Sequence, residues 1–313
     1  MRKEKDSMGS VQVPDDAYYG AQTQRAIENF PISNIPISSS MINALGIIKR
    51  SAAVVNHQLG ILDEERKNAI ILAADEIIEG KFDNQFPIDT FQTGSGTSSN
   101  MNCNEIIANR ASELMGGKIG TREPVHPNNH VNMGQSSNDV IPTAIHIAAN
   151  MAIHNSLIPV LQNLADELDR KVEEFSGIIK IGRTHLQDAT PITLGQEFSG
   201  YCQMIINGIQ RIQNVQKHLS ELAQGGTAVG TGINTKRDFG HLMAQQISQY
   251  SGITFTEAVN HFEAQAAQDA AVETSGALKT VAVSISKISN DIRWMGSGPR
   301  SGIGELILPS VQP

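Results

Sequence analysis

Three short stretches of this sequence concentrate small hydrogen-bonding side chains and are short of charge. They read TGSGTSSNMN at 93–102, GQSSNDVIPT at 134–143 and GRTHLQDATPITLGQEF at 182–198. We expect each to adjoin the start of a helix, where free backbone N–H groups and the helix dipole favour a bound anion. Serine, threonine and asparagine are also good helix caps, so any one stretch alone has a structural explanation. The three together, one of them with a histidine, indicate a site for carboxylate ligands.

A fourth stretch, HPNNH at 126–130, places two histidines at the i, i+4 spacing that sometimes binds zinc. No cysteine or carboxylate lies at a suitable spacing nearby, so we expect no metal here. The two cysteines, Cys103 and Cys202, are too few for a disulfide framework or for an iron–sulfur cluster held by thiolates.

The composition excludes several classes of protein. Apolar residues make up 40% and charged residues 18% of the 313 positions, which is neither a disordered nor a membrane composition. No apolar run approaches the roughly 18 residues of a membrane-spanning helix, and the net charge of -8 opposes binding to nucleic acid or an anionic membrane. We therefore expect a cytoplasmic protein whose partners are small molecules or other subunits.

Helical periodicity runs through nearly the whole chain. A helix is predicted from Ser38 to Leu59, ended by Gly60, and a second one opens at Asp63 and ends at Gly80. Three much longer helices are predicted over about 138–175, 193–223 and 261–295. Pro159 falls inside the first of these and should kink it. The best strand candidate is GIIKIG at 177–182.

Helices of this length need apolar partners along their whole length. The small residues of 266–292 permit close helix approach, so the pattern favours a bundle formed by several subunits over one self-contained bundle. We predict an all-α fold with a mostly helical domain at 1–137 and an incomplete long-helix bundle at 138–313.

The chain resembles the class II fumarases of the fumarase/aspartase superfamily. The resemblance covers essentially the whole chain in order, through the motifs YYGAQTQRAIENF, TGSGTSSNMN, HPNNHVN, GQSSND and GRTHLQDATPITLGQEFSGY. It implies an all-α long-helix bundle in which four subunits share active sites built from three chains. It also implies reversible hydration of fumarate to (S)-malate without metal or cofactor. Carried over by position, the catalytic residue is His185, and the substrate-binding residues are Ser95, Gly96, Thr97, Ser136, Ser137, Asn138 and Thr184.

These residue types suit that chemistry. Removal of the carbon proton beside a carboxylate leaves a dianionic carboxylate, which fixed donors such as Thr97 and Asn138 stabilise without adding negative charge. A neutral imidazole at His185 can polarise the water or protonate the departing hydroxyl. Alone, His185 would equally fit a loop-capping histidine.

The resemblance also implies a second dicarboxylate site at His126, Pro127, Asn128 and Asn129. Many family members have an acidic residue where this chain has Asn129, so the affinity of that site is open. In the family a further motif, with a glycine, two serines and Lys-Val-Asn, follows the position where this sequence stops. The resemblance thus implies that the C-terminal domain with its serine base is absent, and that the 313-residue chain has little or no turnover.

Two alternatives stay open from the residues. An aspartase of the same superfamily would form fumarate from aspartate, but typically has glutamine at the position of His185 and alanine at that of Ser95. A noncatalytic helical assembly subunit would retain the scaffold without needing all three donor stretches.

Overall fold

A computed structural model of the chain describes residues 1–312 and confirms the predicted all-α class. The helices are α1 (Ala21–Asn29), α2 (Ser39–Gln58), α3 (Glu64–Ile78), α4 (Thr97–Leu114), α5 (Ser137–Ala152), α6 (Ile158–Glu174), α7 (Leu194–Leu219), α8 (Phe239–Ser251), α9 (His261–Ala266) and α10 (Asp269–Met295). The short strands are β1 (Arg2–Asp6), β2 (Gly9–Val13), β3 (Ile179–Thr184), β4 (Gln187–Thr193), β5 (Glu221–Leu222) and β6 (Thr256–Glu257). They pair only as β1 with β2, β3 with β4 and β5 with β6 within these residues.

The chain divides into two compact units. Unit 1 comprises Met1–Ala152 and His218–Ala271, and unit 2 runs from Ile153 to Lys217 and from Val272 onward. This division groups the whole of α5 with the residues before it, so it differs from the predicted boundary at 137/138. The sequence-based domains stay a prediction.

Unit 1 has an apolar core around α2, which packs against α3, α5 and α8. Leu45, Ile48 and Val55 of α2 are fully buried, as the three-and-four spacing predicts. Each such side chain contributes about 1.5–3 kcal/mol on burial. The predicted helix ends are confirmed: Ser38 and Asp63 accept hydrogen bonds from the backbone three residues on, which satisfies a free N–H of each first turn.

Helix α4 is buried along nearly its whole length. Its carboxylate Glu105 accepts hydrogen bonds from the backbone N–H groups of Gly20, Gln22 and Thr23 at the start of α1. A buried acid on one helix therefore caps the N-terminus of another.

The long helices predicted from periodicity are interrupted. A π-helical turn, Ile153–Leu157, lies between α5 and α6, directly before Pro159, whose missing N–H cannot complete the α-helical pattern. The segment predicted at 261–295 breaks at Ala267, which has extended backbone angles (φ -98°, ψ 150°). The helix predicted over 193–223 ends at Leu219, because the next residues pair as β5 with β6.

Unit 2 contains α6, most of α7, most of α10 and the antiparallel hairpin of β3 and β4. The predicted strand at 177–182 is confirmed for residues 179–182, which belong to β3. One helical segment, Ser137–Glu174, is by length and composition apolar enough to span a bilayer, with 33% of its most apolar window buried. Core helices of soluble proteins also meet this criterion, so the segment is weak evidence for a membrane span.

Candidate active site

The first donor stretch forms the turn that starts α4. Gly96 is the residue before the helix and adopts a left-handed conformation (φ 65°), which glycine reaches without steric cost. Gly96 has no side chain to cap the helix, and Gln92 Oε1 accepts from the Ser99 N–H at 3.1 Å. The exposed hydroxyls of Ser95 and Thr97 instead lie 2.9 Å from each other. They are not used as helix caps and remain available to a ligand.

The second donor stretch starts α5, as predicted. The backbone N–H of Ser136 donates to Asp139 Oδ1 at 2.9 Å, and the buried Ser137 hydroxyl accepts from another side chain. The Asn138 amide donates to the carbonyl oxygen of Ala228 at 2.6 Å. This turn is therefore fixed to the glycine-rich loop at 225–232.

Asp139 holds that loop in place. Its Oδ2 accepts hydrogen bonds from the backbone N–H groups of Gly225 at 3.2 Å and Thr227 at 2.9 Å. Burial raises the pKa of Asp139 to about 6, a larger effect than the lowering by its backbone donors. Asp139 was not a candidate from the sequence, although it stands inside the GQSSND motif.

The fold brings these two stretches side by side within unit 1. A Cβ on Gly96 would lie only 2.9 Å from the Cδ1 atom of Ile141 on α5. Asn100 on α4 donates from Nδ2 to the Ser137 hydroxyl at 2.9 Å. Two helix N-termini thus meet, and their free N–H groups and dipoles give this region a positive potential.

A buried lysine that sequence reasoning missed lies beneath this region. Lys49 of α2 is fully buried, and its ammonium donates to Asn100 Oδ1 at 2.7 Å, to Asn132 Oδ1 at 2.9 Å and to Gln135 Oε1 at 2.9 Å. Burial lowers the pKa of Lys49 to about 8. Its position between the apolar residues Ile48 and Ala52 was the available signal, since a lysine on a buried helix face needs partners.

The third donor stretch lies in unit 2 and has a different local structure. Thr184 ends β3, Gln187 begins β4, and His185 and Leu186 form the two-residue turn between them. The prediction that Thr184 and His185 adjoin a helix start is therefore wrong.

The physical reason is a capping box further along the chain, formed by Thr193 and Gln196. The Gln196 backbone N–H donates to Thr193 Oγ1 at 3.1 Å, and the Gln196 side chain accepts from the Thr193 N–H at 2.9 Å. This reciprocal pair sets the start of α7 at Leu194, which leaves residues 187–193 to pair as a strand.

The turn itself is exposed and has unusual backbone angles. His185 has a φ of 50° and Leu186 a φ of 63°, values that match the tight turn of a hairpin but that side chains with a Cβ disfavour. Both side chains are exposed. Along β3, Arg183 and Lys180 form ion pairs with Glu305 at 2.6 and 2.7 Å. These ion pairs hold the strand in place, while the two residues of the turn are exposed.

Two residues of the predicted second dicarboxylate site, His126 and Asn129, line a cavity in unit 1. His126 precedes a π-helical turn, Pro127–Val131, and its Nδ1 accepts from the N–H groups of Asn128 and Asn129. Burial lowers the pKa of His126 and of His130. The cavity has a volume of about 750 Å³, and its polar and charged lining includes Arg66, Lys118, Arg122, His126, Asn129 and His130.

Comparison with known proteins identifies the family. The family model described as "Lyase" matches residues 9–313. A mitochondrial fumarate hydratase of Saccharomyces cerevisiae is 57% identical over 316 residues, and a class II fumarate hydratase of Halobacterium salinarum is 60% identical over 312 residues. The crystal structure of a class II fumarase from Schistosoma mansoni superimposes with a TM-score of 0.98 at 39% identity. The chain belongs to the class II fumarase family.

These fumarases are longer than the chain. The alignments cover 100% of this chain, but 64% of the Saccharomyces protein, 66% of the Halobacterium protein and 69% of the Schistosoma chain. The chain thus spans about two thirds of the length of the relatives it matches.

Of the site residues expected from the fumarase resemblance, the fold gathers most in one place. Unit 1 brings together Ser95, Gly96, Thr97, Ser136, Ser137 and Asn138 through the contacts given above. Thr184 and His185 belong to unit 2. Their roles in catalysis stay a prediction.

Proposed function

We propose that this chain binds a dicarboxylate substrate and takes part in the reversible hydration of fumarate to (S)-malate. The observation that carries the proposal is the pair of helix starts in unit 1, whose hydroxyls and amides lie side by side above a buried ammonium. These groups can hold a carboxylate without opposing its charge. The fumarate hydratase names of the relatives supply the reaction.

In this proposal the reaction proceeds by general acid/base catalysis without a metal. Hydration adds a hydroxyl group to one alkene carbon and a proton to its neighbour. The carboxylate on which negative charge develops is held by the unit 1 donors Ser95, Thr97, Ser136, Ser137 and Asn138. Thr184 is proposed to add a further hydroxyl in the assembled tetramer. The His185 imidazole polarises the attacking water, and in the reverse direction protonates the departing hydroxyl.

We further propose a cytoplasmic homotetramer in which subunits share active sites. Helix α10 has several exposed apolar side chains, including Val272, Leu278, Val283 and Trp294. Such a face is stabilised when the corresponding helices of other subunits cover it. Sedimentation velocity checks the assembly: a tetramer supports it, and a monomer at micromolar concentration contradicts it.

The cavity beside His126 is proposed as the second dicarboxylate site, formed by His126, Pro127, Asn128 and Asn129. Arg66, Lys118 and Arg122 line the same cavity and favour an anion there. Asn129 is neutral, so it adds no repulsion toward a carboxylate. Loss of a second succinate-binding event in His126→Ala, measured by calorimetry, is the expected outcome.

The principal experiment offers (S)-malate and aspartate separately and follows fumarate formation by absorbance. Formation from (S)-malate alone supports the hydratase, and formation from aspartate alone supports the ammonia lyase instead. Thermal unfolding is measured with both ligands in parallel, because a ligand that binds only the native state raises its stability. No product and no stabilisation at saturating ligand would favour a noncatalytic assembly subunit.

A further inference from the structure

The hydrogen bonds of Lys49 fix the orientation of side chains as far as the donor cluster, by which we mean Ser95, Thr97, Ser136, Ser137 and Asn138. An ammonium group has three N–H donors and no acceptor. Lys49 uses all three on the side-chain oxygens of Asn100, Asn132 and Gln135. Each of these amides must therefore turn its oxygen toward Lys49 and its NH₂ group away.

The series of hydrogen bonds continues from Asn100 to Ser137. Because Asn100 Oδ1 faces Lys49, Asn100 Nδ2 points to the Ser137 hydroxyl and donates to it at 2.9 Å. Ser137 Oγ is the acceptor in this bond, so its own proton is directed elsewhere. Ser137 is 9% exposed at the start of α5, next to the hydroxyls proposed to hold substrate.

Lys49 binds as an ammonium at this site, because three oxygen acceptors require three N–H donors and a neutral amine has only two. Its three acceptors are neutral amides, and the titratable groups that act on it electrostatically are Asp139 and Cys103. Burial raises the pKa of Cys103 to about 12, so this thiol is neutral at physiological pH. A charge-assisted hydrogen bond is about twice as strong as a neutral one, and the ammonium therefore holds Asn100 firmly in this orientation.

We propose that Lys49 is a positioning residue that acts through Asn100 to make the Ser137 hydroxyl a hydrogen-bond donor to a bound carboxylate. The inference rests on the proposed function for the identity of the ligand. The direction of donation, from Lys49 through Asn100 to Ser137, rests on the described hydrogen bonds alone. Lys49 itself does not touch substrate in this account.

The first test measures hydrogen exchange at side-chain amides by NMR in Lys49→Met. The Asn100 NH₂ group is expected to exchange at least tenfold faster than in the parent, because its orientation is no longer enforced. Asn102 is the internal control, since it lies on the same helix and donates to the Gln85 carbonyl at 3.1 Å. Unchanged exchange at Asn100, or equal acceleration at Asn102, overturns the inference.

A second variant covers the case in which Lys49→Met does not fold. In Lys49→Gln the new amide can both donate and accept, so hydrogen bonding is kept but its direction is no longer fixed. The same selective loss of protection at Asn100 is expected. Lys67→Met, on the neighbouring helix α3, removes the same charge from a partly exposed site and should change neither amide.

The second test measures succinate affinity in a double-mutant cycle. Lys49→Met and Ser137→Ala are each expected to weaken binding about tenfold, the effect of one lost hydrogen bond to a charged group. If Lys49 acts through Ser137, the double variant binds within about twofold of Ser137→Ala. A loss of about a hundredfold would mean independent effects and would overturn the inference. Failure of the parent to bind succinate would instead overturn the proposed function, and amide exchange would still decide the role of Lys49.

Discussion

The donor cluster of unit 1 and the turn of unit 2 formed by His185 and Leu186 are built in different ways. In unit 1, buried side chains from three helices support the donors, and the turn that begins α5 is fixed by hydrogen bonds to other parts of the unit. In unit 2, His185 stands at the exposed tip of a two-residue turn in which both residues have positive φ. The turn that begins α5 is fixed by long-range hydrogen bonds, whereas the two residues of the His185 turn are exposed.

This difference suits the two tasks proposed for them. Binding a carboxylate requires donors fixed at defined positions before the ligand arrives, because reorganisation costs affinity. A group that carries a proton or polarises water needs access to solvent and to the reacting atoms. Unfavourable backbone angles at a turn are also typical of functional sites. Variants that affect one region and spare the other test whether binding and proton transfer are separate.

The largest effect is expected from His185→Asn. Loss of a general acid/base lowers the rate about 10²- to 10⁴-fold, so fumarate formation from (S)-malate should fall by at least a hundredfold in an active preparation. Affinity for succinate, measured by calorimetry, should stay within about threefold. A variant that loses both together would contradict the separation of binding from proton transfer.

The next effect concerns Asp139 and the dependence of stability on pH. Its pKa is raised from 3.8 to about 6, so its stabilising contribution is fully present below 3.8 and is lost as the pH rises through about 6. Parent stability in urea should therefore fall by about 2 kcal/mol from this source between pH 4 and 7. In Asp139→Asn this part of the pH dependence should disappear, whereas exposed Asp16→Asn should keep it. An unchanged slope in Asp139→Asn would show that another group is responsible.

A smaller loss of stability is expected from Gly96→Ala. The substitution combines a left-handed backbone with a contact of 2.9 Å to Ile141, and crowding of this kind costs about 1–3 kcal/mol. Gly60→Ala is the matched control, because Gly60 has a φ of 72° and nothing within 4 Å of the added Cβ. It should cost only about 1 kcal/mol. Equal values in denaturant unfolding would mean that the two helix starts are not tightly packed.

The smallest effect is expected at the turn of unit 2. Leu186→Gly relieves an unfavourable φ of 63° and should raise stability by at most about 1 kcal/mol, since glycine also loses more backbone entropy on folding. Thermal unfolding measures the change. A decrease in stability would show that the Leu186 side chain makes stabilising contacts.

Local features of the fold were predictable from the sequence, and long-range ones were not. The ends of α2 and α3 follow from Ser38, Gly60 and Asp63, which act within one turn of the helix. The role of Lys49 was not predictable, because its partner Asn100 is 51 positions away. The hairpin at His185 was missed because its strand pattern lies beside a stronger helix pattern.

Binding of a dicarboxylate by the donors of unit 1 is the central claim, and thermal unfolding with matched anions tests it most directly. Fumarate and crotonate share the trans double bond, but crotonate has one carboxylate. We predict that fumarate raises the Tm of the parent and of His185→Asn much more than crotonate does, and that Thr97→Val, which loses one hydroxyl in an isosteric side chain, loses most of this shift. An equal shift with both anions, or an undiminished fumarate shift in Thr97→Val, would contradict the account.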